Sequence, residues 1–173
     1  MDAPTVYYRS DFVPEAEELF GFLAKSVVWD ERMKARKTAS FGVAYNYSQI
    51  SYPAVPMPVE IENVCALLEH HIRYWPNNCL LNWYPDGSSS MGFHSDTSEE
   101  LTPGTGVAIV SLGSSRPIVF RSKAHKTVEY AYTLSNGSLL YMSKEVQDHW
   151  LHAIPKVPEA RGRISLTFRS ILK

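Results

Sequence analysis

From residue 79 onward the chain breaks into short β-like runs, and this half limits the possible folds more than any other feature. The eight runs are 79–84, 91–95, 106–112, 117–121, 128–134, 138–142, 150–154 and 163–171. Turn-forming pairs punctuate them: Asp86-Gly87, Pro103-Gly104, Gly113-Ser114 and Asn136-Gly137. Upstream, two segments follow helical spacing instead. Residues 12–27 offer Asp11 as a cap, Pro14 in the first turn and Glu15, Glu17 and Glu18 at the positive dipole end, with an apolar stripe of Leu19, Phe20, Phe22 and Leu23. Residues 59–74 repeat the pattern with Ile61, Val64, Cys65, Leu68 and Ile72. Many closely spaced strands after two helices predict an α+β, mainly β architecture, an antiparallel barrel or jelly roll with the N-terminal helices packed on one side. With 45% hydrophobic residues and no repeat or linker, the 173 residues read as one domain. In it, 1–78 carry the helices and a possible lid, and 79–173 form the core.

The last run has two different faces. In Arg163-Ile164-Ser165-Leu166-Thr167-Phe168-Arg169, alternate residues are polar and apolar. If Ile164, Leu166 and Phe168 pack outward against helices, the two arginines look into the barrel. Burying guanidinium groups without an anion is unfavourable, and a dicarboxylate ligand relieves this through bidentate pairing. Asn82 and Tyr84 likewise share one face of their strand, supplying an amide and a phenol. The plainer reading is a solvated polar face, which weakens because neighbouring strands also gather polar residues on one face.

Metal chemistry is suggested by His94-Ser95-Asp96, since residues two apart point to the same side of a strand. With one more histidine, such a pair makes the 2-His-1-carboxylate triad that binds Fe(II) and leaves coordination positions open. The candidates are His125, in a lysine-flanked turn, and His149 and His152, which would face opposite ways on a strand. The apolar neighbours Leu151 and Ala153 favour His152 as the inward one, although a lone histidine in such a place is usually a satisfied core residue. His70 and His71 read as residues of the second helix's C-terminal end. A zinc hydrolase could use the same donor set, but it has no need of two arginines in the lumen.

Between the helices, the basic cluster Lys34-Ala35-Arg36-Lys37 precedes a tyrosine-rich stretch in which Tyr45 and Tyr47 share a face. Two readings stay open: a half-buried hairpin, or a substrate lid whose cations meet phosphates and whose tyrosines stack on a planar base. The net charge of −1 argues against a strongly basic surface wrapped around nucleic acid. Cys65 and Cys79 lack CxxC spacing and read as buried thiols of a reducing compartment. The first ten residues lack an apolar signal core, and no run reaches transmembrane length, so a cytoplasmic monomer without membrane contact is expected.

Taken together, Asn82-Trp83-Tyr84, His94-Ser95-Asp96, Trp150-Leu151-His152 and the 163–169 run resemble the AlkB family of Fe(II)/2-oxoglutarate-dependent dioxygenases. The resemblance covers about the last hundred residues closely and the run Lys37-Thr38-Ala39-Ser40-Phe41-Gly42 more loosely. It implies a double-stranded β-helix, iron held by His94, Asp96 and His152, and 2-oxoglutarate held by Asn82, Tyr84, Arg163 and Arg169. The implied reaction uses dioxygen, releases succinate and carbon dioxide, and hydroxylates a substrate; on an N-methyl group it frees formaldehyde. The implied partner is alkylated DNA or RNA, with a small metabolite as the alternative and Tyr45, Tyr47 and Ser98 as candidate substrate contacts. The sequence departs from the family at Ser98, where repair members usually carry an acid, and Glu99 and Glu100 follow it.

Overall fold

A computed structural model of the chain describes residues 2–172, apart from the side chain of Ser98. The N-terminal part comprises β1 (Val6–Arg9), α1 (Ala16–Ser26), β2 (Lys37–Gly42), β3 (Tyr45–Tyr47), β4 (Ile50–Tyr52) and α2 (Val59–Ile72). The rest begins with β5 (Asn78–Tyr84), β6 (Met91–His94), β7 (Val107–Gly113), β8 (Arg116–Ser122) and β9 (Glu129–Leu134). It ends with β10 (Ser138–Met142), α3 (Lys144–His149), β11 (Trp150–Ile154) and β12 (Arg163–Arg169).

Two antiparallel sheets face each other, one in the order β1-β10-β7-β12-β5-β2 and the other β6-β11-β8-β9. From β5 onward the chain passes repeatedly between them, which is the winding of a jelly roll, or double-stranded β-helix. The larger sheet is buried on both faces, as β12 shows. Ile164, Leu166 and Phe168 pack outward with Leu81, Val110 and Leu112 against Leu23 of α1 and Ile61, Val64 and Leu68 of α2. A second core fills the space between the sheets, with Ile109, Ile118, Phe120, Leu140, Met142 and Ile154. The polar residues of β12 face this interior too, and all seven residues of the strand are buried.

Several boundaries differ from the sequence expectation. Helix α1 starts four residues later than residue 12, because Asp11 and Glu15 both adopt left-handed backbone (φ 52 and 55) and Phe12 and Val13 donate to the Gly137 carbonyl instead. Asp11 is therefore not its cap. Helix α2 ends at Ile72, where Arg73 turns left-handed at φ 69. Strand β1 and helix α3 have no counterpart in the periodicity reading; β1 is held by pairing with β10, and α3 is only six residues long. Gly113 sits at φ 90 in the turn between β7 and β8, where an added Cβ would lie 2.5 Å from the Gly162 carbonyl oxygen. No helix among the described residues is long and apolar enough to cross a membrane.

Candidate active site

Strand pairing brings the polar residues into one chamber. Strand β12 lies between β5 and β7, so Arg163 is opposite Tyr84, and Ser165 is opposite both Asn82 and Ser111. Alternation then turns Asn82, Tyr84, Arg163, Ser165, Thr167 and Arg169 toward the lumen, and the cavity there is lined by all six. On the facing sheet, β6 pairs with β11 so that His94 is the register partner of His152. Their rings are 4.3 Å apart between centroids. Asp96 follows the end of β6 and closes the group: one donor atom each from His94, Asp96 and His152 lie within 4.8 Å of one another. The other histidine candidates do not approach them; His125 and His149 are exposed.

Each donor is prepared for a cation. The Nδ1 of His94 lies 2.9 Å from the Gly92 carbonyl oxygen, which can only accept, so Nδ1 carries a proton and Nε2 is the nitrogen left for a metal. Burial, reinforced by His94 and outweighing the pull of Asp96, lowers His152 to a pKa of about 3, leaving a neutral imidazole. Burial alone would raise the Asp96 carboxyl; the Arg169 guanidinium, aided by both histidines, overrides it and holds the group below the usual carboxylate range. Asp96 Oδ2 accepts from Arg169 at 2.8 Å, which leaves Oδ1 directed toward His94 Nε2 at 4.0 Å. Two imidazole nitrogens and one carboxylate oxygen make a set suited to Fe(II) with open positions.

The chamber is also short of acceptors. Arg163 is 1% exposed and donates to Ser111 Oγ at 2.9 Å, yet its Nε and Nη1 have no partner among the described residues. The Nε and Nη1 of Arg169 and the Tyr84 hydroxyl are likewise unpartnered. Burial lowers the pKa of Arg163, the mark of a cation without a full counter-charge. A carboxylate-bearing ligand would satisfy these donors, so the residues present fit an organic diacid as well as a metal. Arg169 departs from the expectation in one respect: Asp96 already occupies one arm of its fork.

Three more residues reach the chamber although their sequence context does not place them there. Gln147, on α3 and 2% exposed, accepts the Asp96 backbone N–H on Oε1 at 2.8 Å. Nothing in the sequence pattern marks it, because α3 is too short to show periodicity. Arg116 is fully buried, donates to the carbonyls of Ser89 (2.8 Å) and Pro155 (2.6 Å), and lies 5.5 Å from the Tyr84 ring centroid. Arg36 belongs to the basic cluster expected to meet phosphates, but it points inward and is 8% exposed. Of its neighbours, Lys37 pairs with Glu31 at 3.4 Å and caps the Trp83 ring, while Lys34 is exposed.

Above the donor group an open groove of about 830 Å³ is lined by Arg32, Arg36, Tyr45, Tyr47, Asp96 and Glu100, among others. The β3–β4 hairpin forms one wall, its tyrosine rings stacked at 6.5 Å with planes 18° apart. The Tyr45 ring centroid is 5.0 Å from the Arg169 guanidinium. Burial raises Tyr45 to a pKa of about 12 and raises Tyr47 as well, so both remain hydrogen-bond donors. The Ser98 side chain lies outside the described residues; its backbone is in a 3-10 turn, Ser98–Glu100, which carries Glu100 to the groove.

A jelly roll whose lumen pairs such a donor group with unsatisfied cations has the construction of a non-haem iron oxygenase. Comparison with known families narrows this. Residues 22–169 match the 2OG-Fe(II) oxygenase superfamily, and the chain belongs to it. Its cofactor is Fe(II), and its cosubstrates are 2-oxoglutarate and dioxygen. The relatives are of the AlkB type. DNA oxidative demethylase ALKBH2 of Mus musculus is 34% identical over 91% of the chain, and the Homo sapiens protein of that name is 32% identical over the same share. Alpha-ketoglutarate-dependent dioxygenase alkB homolog 3 of Mus musculus is 30% identical, again over 91%. The chain spans 71%, 65% and 62% of the lengths of these relatives. The structure of OsALKBH1 superposes with a TM-score of 0.69 at 14% identity, covering 98% of this chain and 99% of that one, which shows a shared fold.

Proposed function

We propose that the chain is a single-domain oxidative demethylase of alkylated nucleobases, acting on DNA or RNA as a cytoplasmic monomer. The observation that carries this reading is the convergence within 4.8 Å of donors from His94, Asp96 and His152. They lie between a cation-lined lumen and a groove walled by two parallel tyrosine rings. In this reading the three residues hold the iron. Asn82, Tyr84, Arg163 and the free arms of Arg169 would hold 2-oxoglutarate, the arginines pairing with its carboxylates. Bound together, iron and cosubstrate supply oxygen activation, 2-oxoglutarate leaving as succinate and carbon dioxide while one oxygen atom enters a substrate C–H bond.

The chain's own residues do the remaining work. Neutral His152 and the Nδ1-protonated His94 each leave a ring nitrogen for the metal, and Arg169 keeps Asp96 ionised and turned so that one oxygen is free. Tyr45 and Tyr47 offer flat faces on which a methylated base can stack, and their protonated hydroxyls donate to its edge. Glu100 brings an acid to the groove near the place where Ser98 lacks one, which suits a base made cationic by methylation. Hydroxylation of an N-methyl group gives a hemiaminal, and its collapse releases formaldehyde and the repaired amine. Two of the named relatives, of Mus musculus and Homo sapiens, are DNA oxidative demethylases, which supports nucleic acid over a metabolite.

The test is a panel of methylated oligonucleotides and small N-methyl compounds, scored for formaldehyde that depends on 2-oxoglutarate, with His94→Ala as the control. Formaldehyde from oligonucleotides alone is expected. Turnover confined to the small compounds would make this a metabolite oxygenase, and undiminished succinate release by the control would remove the iron assignment.

A further inference from the structure

Arg36 uses all three guanidinium nitrogens on three different segments. Its Nε donates to Asn82 Oδ1 at 2.9 Å, on β5 in the lumen. Its Nη1 donates to the Ser90 carbonyl at 2.9 Å, one residue before β6, the strand that carries His94. Its Nη2 donates to the Tyr47 hydroxyl, on the hairpin that walls the groove. The guanidinium carbon also lies 5.6 Å from the Tyr47 ring centroid. The basic cluster therefore places one cation at the meeting point of lumen and groove, both of which Tyr47 lines.

The contact with Asn82 has a chemical consequence. Guanidinium nitrogens can only donate, so the amide of Asn82 must turn its oxygen toward Arg36. Its Nδ2 is then the end left for the lumen that Asn82 lines. A donor there matches a carboxylate oxygen, whereas the flipped amide would oppose a lone pair to a negative charge. We propose that Arg36 is a positioning residue that orients Asn82 for the cosubstrate and ties that orientation to the hairpin tyrosine, so that occupancy of lumen and groove are coupled. This rests on the reading that 2-oxoglutarate occupies the lumen. Because coupling between two sites is reciprocal, ordering Tyr47 tightens the cosubstrate and a bound cosubstrate orders Tyr47. A lysine does not reproduce this, because its three N–H donors share one nitrogen and cannot span partners spread around a planar fork.

The test is calorimetric titration of 2-oxoglutarate into protein loaded with Zn(II), which is redox-silent, so the readout is binding alone. Wild type is compared with Arg36→Gln, Asn82→Ala, Tyr47→Phe and the two double variants that contain Arg36→Gln. Losing a charge-assisted hydrogen bond predicts binding about tenfold weaker for Arg36→Gln. Each double variant is expected to bind less weakly than the product of its two single losses, since Asn82 and Tyr47 act partly through the same guanidinium. Arg36→Lys is expected to lie with the glutamine variant, and it carries the same comparison should the glutamine variant fail to fold. Losses that multiply, or an unchanged affinity in Arg36→Gln or Arg36→Lys, overturn the coupling. A wild-type protein that does not bind 2-oxoglutarate overturns the cosubstrate reading itself, and the coupling with it.

Discussion

Single residues in the chamber are set by what they lack as much as by what they touch. Arg163 is buried with two guanidinium nitrogens lacking a hydrogen-bond partner among the described residues, an arrangement that an anionic ligand would complete. Arg163→Ala is expected to raise the 2-oxoglutarate concentration needed for half-maximal succinate release about ten- to a hundredfold, as one or two charge-assisted bonds are lost, with metal binding unchanged. An unaltered requirement would mean that the arginine serves another partner. Gln147 makes a different prediction, because it holds the backbone of Asp96 and not the metal group itself. Removing a supporting partner of this kind lowers metal affinity about ten- to a hundredfold. Gln147→Leu should show that loss in a Mn(II) titration, and equal affinity would make the bond incidental.

At the scale of elements, β12 has one face for stability and one for chemistry. Leu166 is fully buried against the helices, so Leu166→Ala is expected to lower unfolding free energy by about 2–5 kcal/mol. Its 2-oxoglutarate affinity should stay at the wild-type level, which denaturant melts and titrations on the folded variant can separate. The β3–β4 hairpin behaves oppositely. It pairs only with itself in the sheet topology and lies over the groove. Tyr45→Ala or Tyr47→Ala should reduce formaldehyde release more than succinate release without substrate; equal losses would point to misfolding. Most strand positions were legible because β strands alternate: β10 and β11 begin and end where the residue pattern placed them. Strand β1 was not, since its four residues are held by pairing with β10 and carry no periodic signal of their own. Helix α1 starts four residues later than its apolar spacing suggests, because the left-handed backbone at Glu15 interrupts the helix and the Gly137 carbonyl pins Phe12 and Val13 outside it.

For the molecule as a whole, the charge distribution limits how nucleic acid can be held. Net charge is −1, and the cations along the groove are Arg32, paired with Asp30, and Arg36, turned inward. Few phosphates can be neutralised there. The slope of log affinity against log salt for a methylated single-stranded oligonucleotide is therefore expected to be shallow, about −1 to −2. A slope steeper than about −4 would require phosphate contacts that this groove does not supply.

The amino-acid order by itself determined a barrel or jelly roll of short antiparallel strands and which residues share a strand face, since alternation and turn residues are local properties that survive without knowledge of the partner strand. It also set out His94, Asp96 and the two arginines of β12 as chemistry-bearing positions. The apolar neighbours Leu151 and Ala153 already favour His152 over His125 and His149, but only the pairing of β6 with β11 brings it beside His94 and Asp96. Tertiary structure alone turned Arg36 inward and brought Gln147 under Asp96. The physical reason is that a side chain's partner is chosen by strand register and packing between segments far apart in the chain, which no local pattern encodes.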